Sequence, residues 1–290
     1  MNRQQVWVSV YFEIHHETRY TYSTPVYLGR HTLRLRPISD ANQHLHRFEI
    51  NVAPQPAGTS DLSDLDGNYA TAVWFEEPTA QLLIETTSLV ETLRSNPFDY
   101  LWQGPSTLPV RYSAAFSDAL GTFRASIVPQ PVRDLGDEVA RAVGDDAQAF
   151  SGRLAGVLHE RFPRIVRPEG APRDANETLQ RGVGSCRDLA VLYMAVARSQ
   201  GFAARFVSGY NTVPSEDDDH DLHAWVEVYI PGGGWRGFDP TIGLAVADRH
   251  VAIAAGALAE QAAPVSGTFA GQATSTLETR VTISEVPSLV

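Results

Sequence analysis

The segment Asp221-Leu222-His223-Ala224-Trp225-Val226-Glu227-Val228-Tyr229-Ile230 is followed by Pro231-Gly232-Gly233-Gly234 and then Trp235-Arg236-Gly237-Phe238-Asp239-Pro240, and this stretch constrains the chain more than any other. Ala224, Val226, Val228 and Ile230 alternate with His223, Trp225, Glu227 and Tyr229. A strand here turns its even positions to the core and carries a polar, aromatic odd face. The glycine run and the returning Trp235 to Asp239 read as a hairpin. Opposed residues in a hairpin have numbers with a constant sum, and a one-residue slip exchanges the faces. His223 and Asp239 therefore share a face only if that sum is even, which requires a loop with an odd count of residues, about three or five. With Val226 opposite Phe238, Asp239 lies diagonally from His223, at about 7 Å or somewhat less between Cβ atoms, close enough for the side chains to bond.

Upstream, Gly182-Val183-Gly184-Ser185-Cys186-Arg187-Asp188 reads as a helix entrance. Ser185 and Asp188 have capping-box spacing, which puts Cys186 at the first helical position. Leu189 to Ala197 is apolar on every side, so the helix is expected to be buried all round. Gly201 and Phe202 supply a left-handed stop with its hydrophobic contact. A sulfur at a helix N-terminus meets unpaired N–H groups and the positive end of the macrodipole, which favour the thiolate and can also hold an oxyanion. Gly182 and Gly184 lack side chains and would let a substrate backbone approach. A lone cysteine is more often a small buried hydrophobe, a histidine on a strand is usually structural, and Asp-Pro usually ends a strand. The three together point further, because a thiolate needs a base and the base needs a partner to orient it.

Composition narrows the classes around this constellation. The formal charge is -11, and the arginines are scattered, which disfavours nucleic acid as a partner. All 23 positively charged residues are arginine, so the protein has no lysine amine to offer in acyl transfer. One cysteine excludes an internal disulfide and any cysteine-rich metal site. No apolar run reaches the roughly 18 residues that span a bilayer, and the first residues alternate like a strand, so no membrane partner and a cytoplasmic location are expected.

Up to Leu93 the chain reads as strands, Val6 to Tyr22, Thr32 to Arg36, His46 to Val52, Tyr69 to Phe75 and Leu82 to Glu91, with Pro54 to Gly58 among the turns. Such a series predicts an antiparallel β-sandwich over residues 1–93. Residues 94–132, punctuated by prolines, read as a linker, and 133–290 as the catalytic domain. Within it helices are expected at Leu135 to Val143, Ala147 to Phe162 and Val251 to Ala262, with a last strand at Thr276 to Ile283.

Gly184-Ser185-Cys186-Arg187-Asp188, His223-Ala224-Trp225-Val226-Glu227 and Trp235-Arg236-Gly237-Phe238-Asp239-Pro240-Thr241 resemble, in that order, the core of the transglutaminase-like superfamily. Gly201 to Tyr210 resembles the family's link from helix to sheet. His16 to Tyr22 and Leu33 to Pro37 resemble the β-rich N-terminal region of its bacterial members. The resemblance implies an α+β fold with a papain-like core, in which the cysteine helix packs on an antiparallel sheet. It also implies acyl transfer through a thioester, with Cys186 as nucleophile, His223 as base and Asp239 orienting the histidine. Gly184, Ser185, Trp225 and Trp235 flank these three and are the expected substrate contacts, for a peptide or protein substrate and without a cofactor. After Gly256 the chain lacks the Arg-Asp-Tyr run that family members tend to carry. Hydrolysis by a peptidase or amidase is the leading expectation, with protein-glutamine amine transfer and a non-catalytic peptide-binding module as alternatives. The acidic run Glu216-Asp217-Asp218-Asp219-His220-Asp221 could offer oxygens to calcium but lacks EF-hand spacing, so it reads as a solvated loop and no metal site is assigned.

Overall fold

The computed structural model describes residues 9–124, 127–167, 170–212 and 222–287. Its first unit grows from one long strand, Val10–Leu28, which pairs antiparallel with Thr79–Thr92 on one side and with Ser275–Val286 on the other. Gln43–Ala53 extends the sheet beyond Thr79–Thr92. A second antiparallel sheet holds His31–Leu33, Tyr69–Trp74, Gly58–Ser63 and the short Val265–Ser266. Alternation places Phe12, Ile14, Leu82 and Ile84 of the first sheet and Leu33 and Val73 of the second in one buried apolar cluster. The expected sandwich thus takes the form of two antiparallel sheets sharing a core. Gly58–Ser63 went unread because five of its six residues are Gly, Ser, Thr or Asp and most are exposed; an edge strand with no apolar face leaves no period-two signal.

The second unit is built around the helix Cys186–Ser199, buried along Leu189, Ala190, Leu192, Tyr193, Met194, Val196 and Ala197. It packs on the strands Ala204–Asn211 and Leu222–Ile230 and is flanked by the helices Gln130–Ala142, Ala147–Arg161 and Ala175–Arg181. It stops as expected: Gly201 has φ +85°, its N–H donates to Arg198 O, and the Phe202 N–H donates to Ala197 O, the paired bonds of a Schellman end. The sheet beneath is antiparallel throughout, in the order Leu244–Ala245, Gly234–Asp239, Leu222–Ile230, Ala204–Asn211, His250–Gly256. Helices and antiparallel sheets are segregated along the chain, and the fold is α+β.

The segment His250–Gly256 corrects an expectation. Residues 251–262 read as a helix on the strength of their alanines, yet 250–256 is a strand and only Ala259–Ala262 turns, as a short 3₁₀ helix. Tertiary partners override the propensity. One edge pairs with Ala204–Asn211. Carboxamides from the N-terminal unit serve the backbone elsewhere: Gln43 accepts from Ala252 N at 2.7 Å and donates to Ala252 O at 2.9 Å, and Asn68 bonds Ala255 N and O at 2.8 Å each.

Residues 94–124 are mostly irregular but docked, with two short helices at Ala114–Ser117 and Gly121–Arg124, and the expected linker bound of 132 falls inside the helix Gln130–Ala142. Val110 and Leu120 are buried, and Tyr112 Oη accepts from Ala203 N at 2.9 Å and donates to Tyr229 O at 2.7 Å. Wherever a division is drawn along the sequence, the last strand crosses it in space, since Ser275–Val286 lies in the N-terminal sheet. Among the described residues no helix is long and apolar enough to cross a membrane.

Candidate active site

The hairpin adopts the even register. Val226 lies opposite Phe238 and Ile230 opposite Gly234, leaving Pro231, Gly232 and Gly233 as a three-residue loop. Asp239 is then two residues from the position facing His223, and so on the same side of the sheet. The side chains meet: His223 Nε2 lies 2.7 Å from Asp239 Oδ2. His223 is also hydrogen-bonded to Cys186, and with Nε2 engaged by the carboxylate, Nδ1 is the nitrogen left for the sulfur.

Cys186 is the first residue of its helix. Asp188 Oδ2 accepts from Ser185 N at 2.9 Å and Oδ1 from Arg173 N at 2.8 Å. Arg167 and Arg173 lie 3.4 and 3.6 Å from the same carboxylate. This fully buried acid fixes the helix start, and with it the sulfur.

The electrostatics follow from burial set against charge. Burial pushes the Cys186 thiol up, but the hydrogen bond and charge of His223, then Arg164 and Arg187, outweigh it and bring the thiol below its ordinary value. Burial pulls the His223 imidazolium down, yet the Asp239 charge and hydrogen bond, together with Cys186, hold it up at about 10. Burial likewise opposes ionisation of Asp239, and His223 and His250 reverse this, keeping the carboxyl well below its usual range. The arrangement favours a thiolate–imidazolium pair braced by a carboxylate.

Two further residues complete the setting of Asp239. Thr241 donates to Oδ1 through its N–H at 2.8 Å and its hydroxyl at 2.7 Å, an Asx-type turn that the Asp-Pro-Thr sequence permits. His250 Nε2 lies 3.1 Å from Oδ2. No local pattern marks His250, which arrives only because residues 244–250 carry the chain from one side of the sheet to the other. Among the described residues, His223, Asp239 and His250 also group ligand-type atoms within 4.8 Å of one another, at separations of 2.7 and 3.1 Å that are those of hydrogen bonds.

A cleft of about 660 Å³ opens over Cys186 and His223. The core contributes Arg164 and Arg187, and the N-terminal sheet contributes Thr18, Tyr20 and Leu277. Of the expected substrate contacts, Ser185 lines this cleft, and Gly184, Trp225 and Trp235 lie elsewhere. Gly184 is packed inward: an added Cβ would come within 3.0 Å of Asp188 Cβ and 3.2 Å of Thr178 Cγ2. Trp225 is 1% exposed, its ring stacked at 6.3 Å on His223 and at 5.1 Å from His250. Trp235 packs against Phe123 and Tyr229 with the Arg205 guanidinium 4.5 Å from its ring centre. The odd face of the histidine strand, read as an open surface, is therefore covered too, with Trp225 and Glu227 both buried. The acidic run Glu216 to Asp221 lies outside the described residues.

Residues 12–91 match the bacterial transglutaminase-like N-terminal region, and residues 134–240 match the transglutaminase-like superfamily. The chain belongs to the transglutaminase-like superfamily. Cys186, His223 and Asp239 all fall inside the second match. An uncharacterised protein of Mycobacterium leprae is 25% identical over 282 residues, 93% of this chain and 97% of its own. A protein-glutamine gamma-glutamyltransferase of Pseudomonas aeruginosa is 30% identical over 118 residues, which are 38% of this chain and 18% of that longer relative. The crystal structure of a Cytophaga hutchinsonii protein, described as a candidate cysteine protease, superposes with a TM-score of 0.74 at 22% identity, covering 97% of this chain and 92% of that one. This last likeness shows a shared fold over nearly the whole length. The superfamily is one of cysteine-based enzymes.

Proposed function

We propose that this chain is a cysteine hydrolase that cleaves amide bonds of a peptide or protein substrate through a thioester on Cys186. The observation that carries the reading is His223, held at 2.7 Å by a buried carboxylate while bonded to the sulfur at the tip of a helix. His223 Nδ1 takes the thiol proton, and the thiolate attacks the amide carbonyl to form the C–S bond. The oxyanion rests on the Cys186 N–H, which has no partner within the helix. The imidazolium then gives its proton to the departing amine as the C–N bond breaks. Water, deprotonated by His223, attacks the thioester, releases the acid and restores the thiol. Asp239 keeps the imidazole oriented and its charged form stable through both halves. Cys186 is only partly buried, so water has access to the thioester.

Amine transfer is the second reading, favoured by the similarity to the gamma-glutamyltransferase of Pseudomonas aeruginosa. A panel of peptide amides assayed with and without a primary amine separates the two: free acid as the product in both conditions supports hydrolysis, and amine-dependent product alone supports transfer. Cys186→Ala must abolish either. Iodoacetamide that fails to label the wild type at neutral pH, or peptides that bind without any turnover, would count against both.

A further inference from the structure

His250 stands outside the three reacting groups, yet it is as buried as His223. Its Nε2 shares Asp239 Oδ2 with His223. Facing an ionised carboxylate, that nitrogen must carry the proton. Burial pulls the imidazolium pKa down, so the ring is neutral and Nδ1 is a bare acceptor. This Nδ1 is buried without a protein partner, and so is Trp225 Nε1, which can only donate. The two rings meet edge to face with centres 5.1 Å apart, and both border a cavity of about 40 Å³ that shares no lining residue with the cleft. A polar space of that size accommodates a water. A buried donor and a buried acceptor on adjoining rings are what a bridging water satisfies. Asp40, Arg94, Arg205, Glu227 and Arg236 also border it; Arg205 is paired with Glu227 at 2.6 Å and Arg236 with Asp99 at 2.6 Å.

We propose that His250 is a positioning residue: neutral, with its proton on Nε2, it holds the Asp239 carboxylate ionised and aimed at His223, and a buried water bridging Trp225 Nε1–H to His250 Nδ1 locks that tautomer. The inference rests on the reading of Cys186, His223 and Asp239 as the reacting groups. Asp239 has no exposure to solvent, so a lost donor is not replaced from bulk water. The carboxylate is then less stabilised, the imidazolium it supports is weakened, and the thiolate beside it reverts toward the thiol.

Because Cys186 is the only cysteine, the rate of iodoacetamide alkylation against pH reads this chain of effects without a substrate. The wild type should titrate below an ordinary thiol. His250→Leu should titrate roughly one unit higher, a loss of about tenfold in rate on the acid limb. His250→Gln, whose amide can donate from nearly the place of Nε2, should keep the wild-type profile. A shifted wild type with an unshifted His250→Leu overturns the role of His250 and leaves the triad standing, and so does a glutamine variant that behaves like the leucine one. A wild type that titrates like an ordinary thiol overturns the triad reading and this inference with it. Imidazole ¹⁵N spectra of the wild type at pH 7 supply a measurement independent of variant folding: a neutral His250 protonated on Nε2 is expected, and an Nδ1–H tautomer or an imidazolium overturns the proposal.

Discussion

Asp239 is the residue whose replacement separates geometry from charge. Asparagine fits the same space, but its amide group cannot stabilise an imidazolium, and turned toward His223 it favours the wrong tautomer. Asp239→Asn should lower kcat by roughly 10⁴-fold with the fold retained, the scale seen when a triad acid is made neutral; steady-state kinetics beside a melting curve checks both halves. The raised imidazolium also has a consequence for stability. Cys186→Ser removes the thiol, whose own titration would overlap, and leaves His223 facing Asp239. A histidine whose folded pKa is raised above its unfolded 6.5 contributes stability that is complete below about 6.5 and is lost as pH climbs through the folded value. The melting temperature of Cys186→Ser should therefore fall as the pH rises above about 6.5, and that slope should flatten in Cys186→Ser combined with Asp239→Asn. Differential scanning calorimetry across the range measures the difference. The cysteine, the histidine and the aspartate could be picked out from residue type and spacing. Thr241 and His250, which finish the shell of the carboxylate, could not: Thr241 closes the motif but nothing in its type or spacing marks a role, and His250 belongs to a segment with no pattern of its own.

The cysteine helix and the sheet below it depend on a few packed contacts that the same logic makes testable. Asp188 anchors the helix entrance with two backbone N–H groups and two arginines. Asp188→Ala leaves those charges without their buried partner and should cost about 3 kcal/mol, in the range found for breaking a buried ion pair; urea unfolding would show it as a lower midpoint. In the sheet, Gly209 sits opposite His223, where a Cβ would lie 2.1 Å from Val251 O and 2.5 Å from the Trp225 ring. Backbone cannot retreat as a flexible side chain can, so Gly209→Ala should lose about 3 kcal/mol and disturb the Trp225 ring that stacks on His223. Trp fluorescence and thermal melting read the two effects. The boundaries of the cysteine helix and the hairpin were legible because capping chemistry and alternation are local rules, whereas the helix expected from Leu135 begins at Gln130 and Ala175–Arg181 went unread. The strand His250–Gly256 was not, since alanines suit a helix until the strand Ala204–Asn211 and two carboxamides from distant parts of the chain claim their backbone.

At the scale of the molecule, the N-terminal sheet is part of the cleft as well as a neighbour of it. Ser275–Val286 returns to pair along Val10–Leu28, and Thr18, Tyr20, Leu277 and Thr279 form the wall facing Cys186. Ending the chain after Gly271 would strip one side of Val10–Leu28 of its partner and expose an unpaired edge, a template for association. Such a truncation should self-associate in size-exclusion chromatography and lose activity even though Cys186, His223 and Asp239 are all retained; a monomeric, fully active product would show that this wall is dispensable. Local chemistry wrote three things into the chain unaided: a helix that opens on a sulfur, a hairpin whose parity puts an imidazole and a carboxylate on one side, and a run of strands ahead of both. These depend on neighbours within a few residues, and a sequence carries them whole. The closing of the last strand onto the first, the crossing that delivers His250, the burial of Trp225 and the packing of Trp235 away from the cleft depend on pairings between segments tens to hundreds of residues apart. Their free energy comes from surfaces that exist only once the chain has folded, so only the assembled structure could settle them.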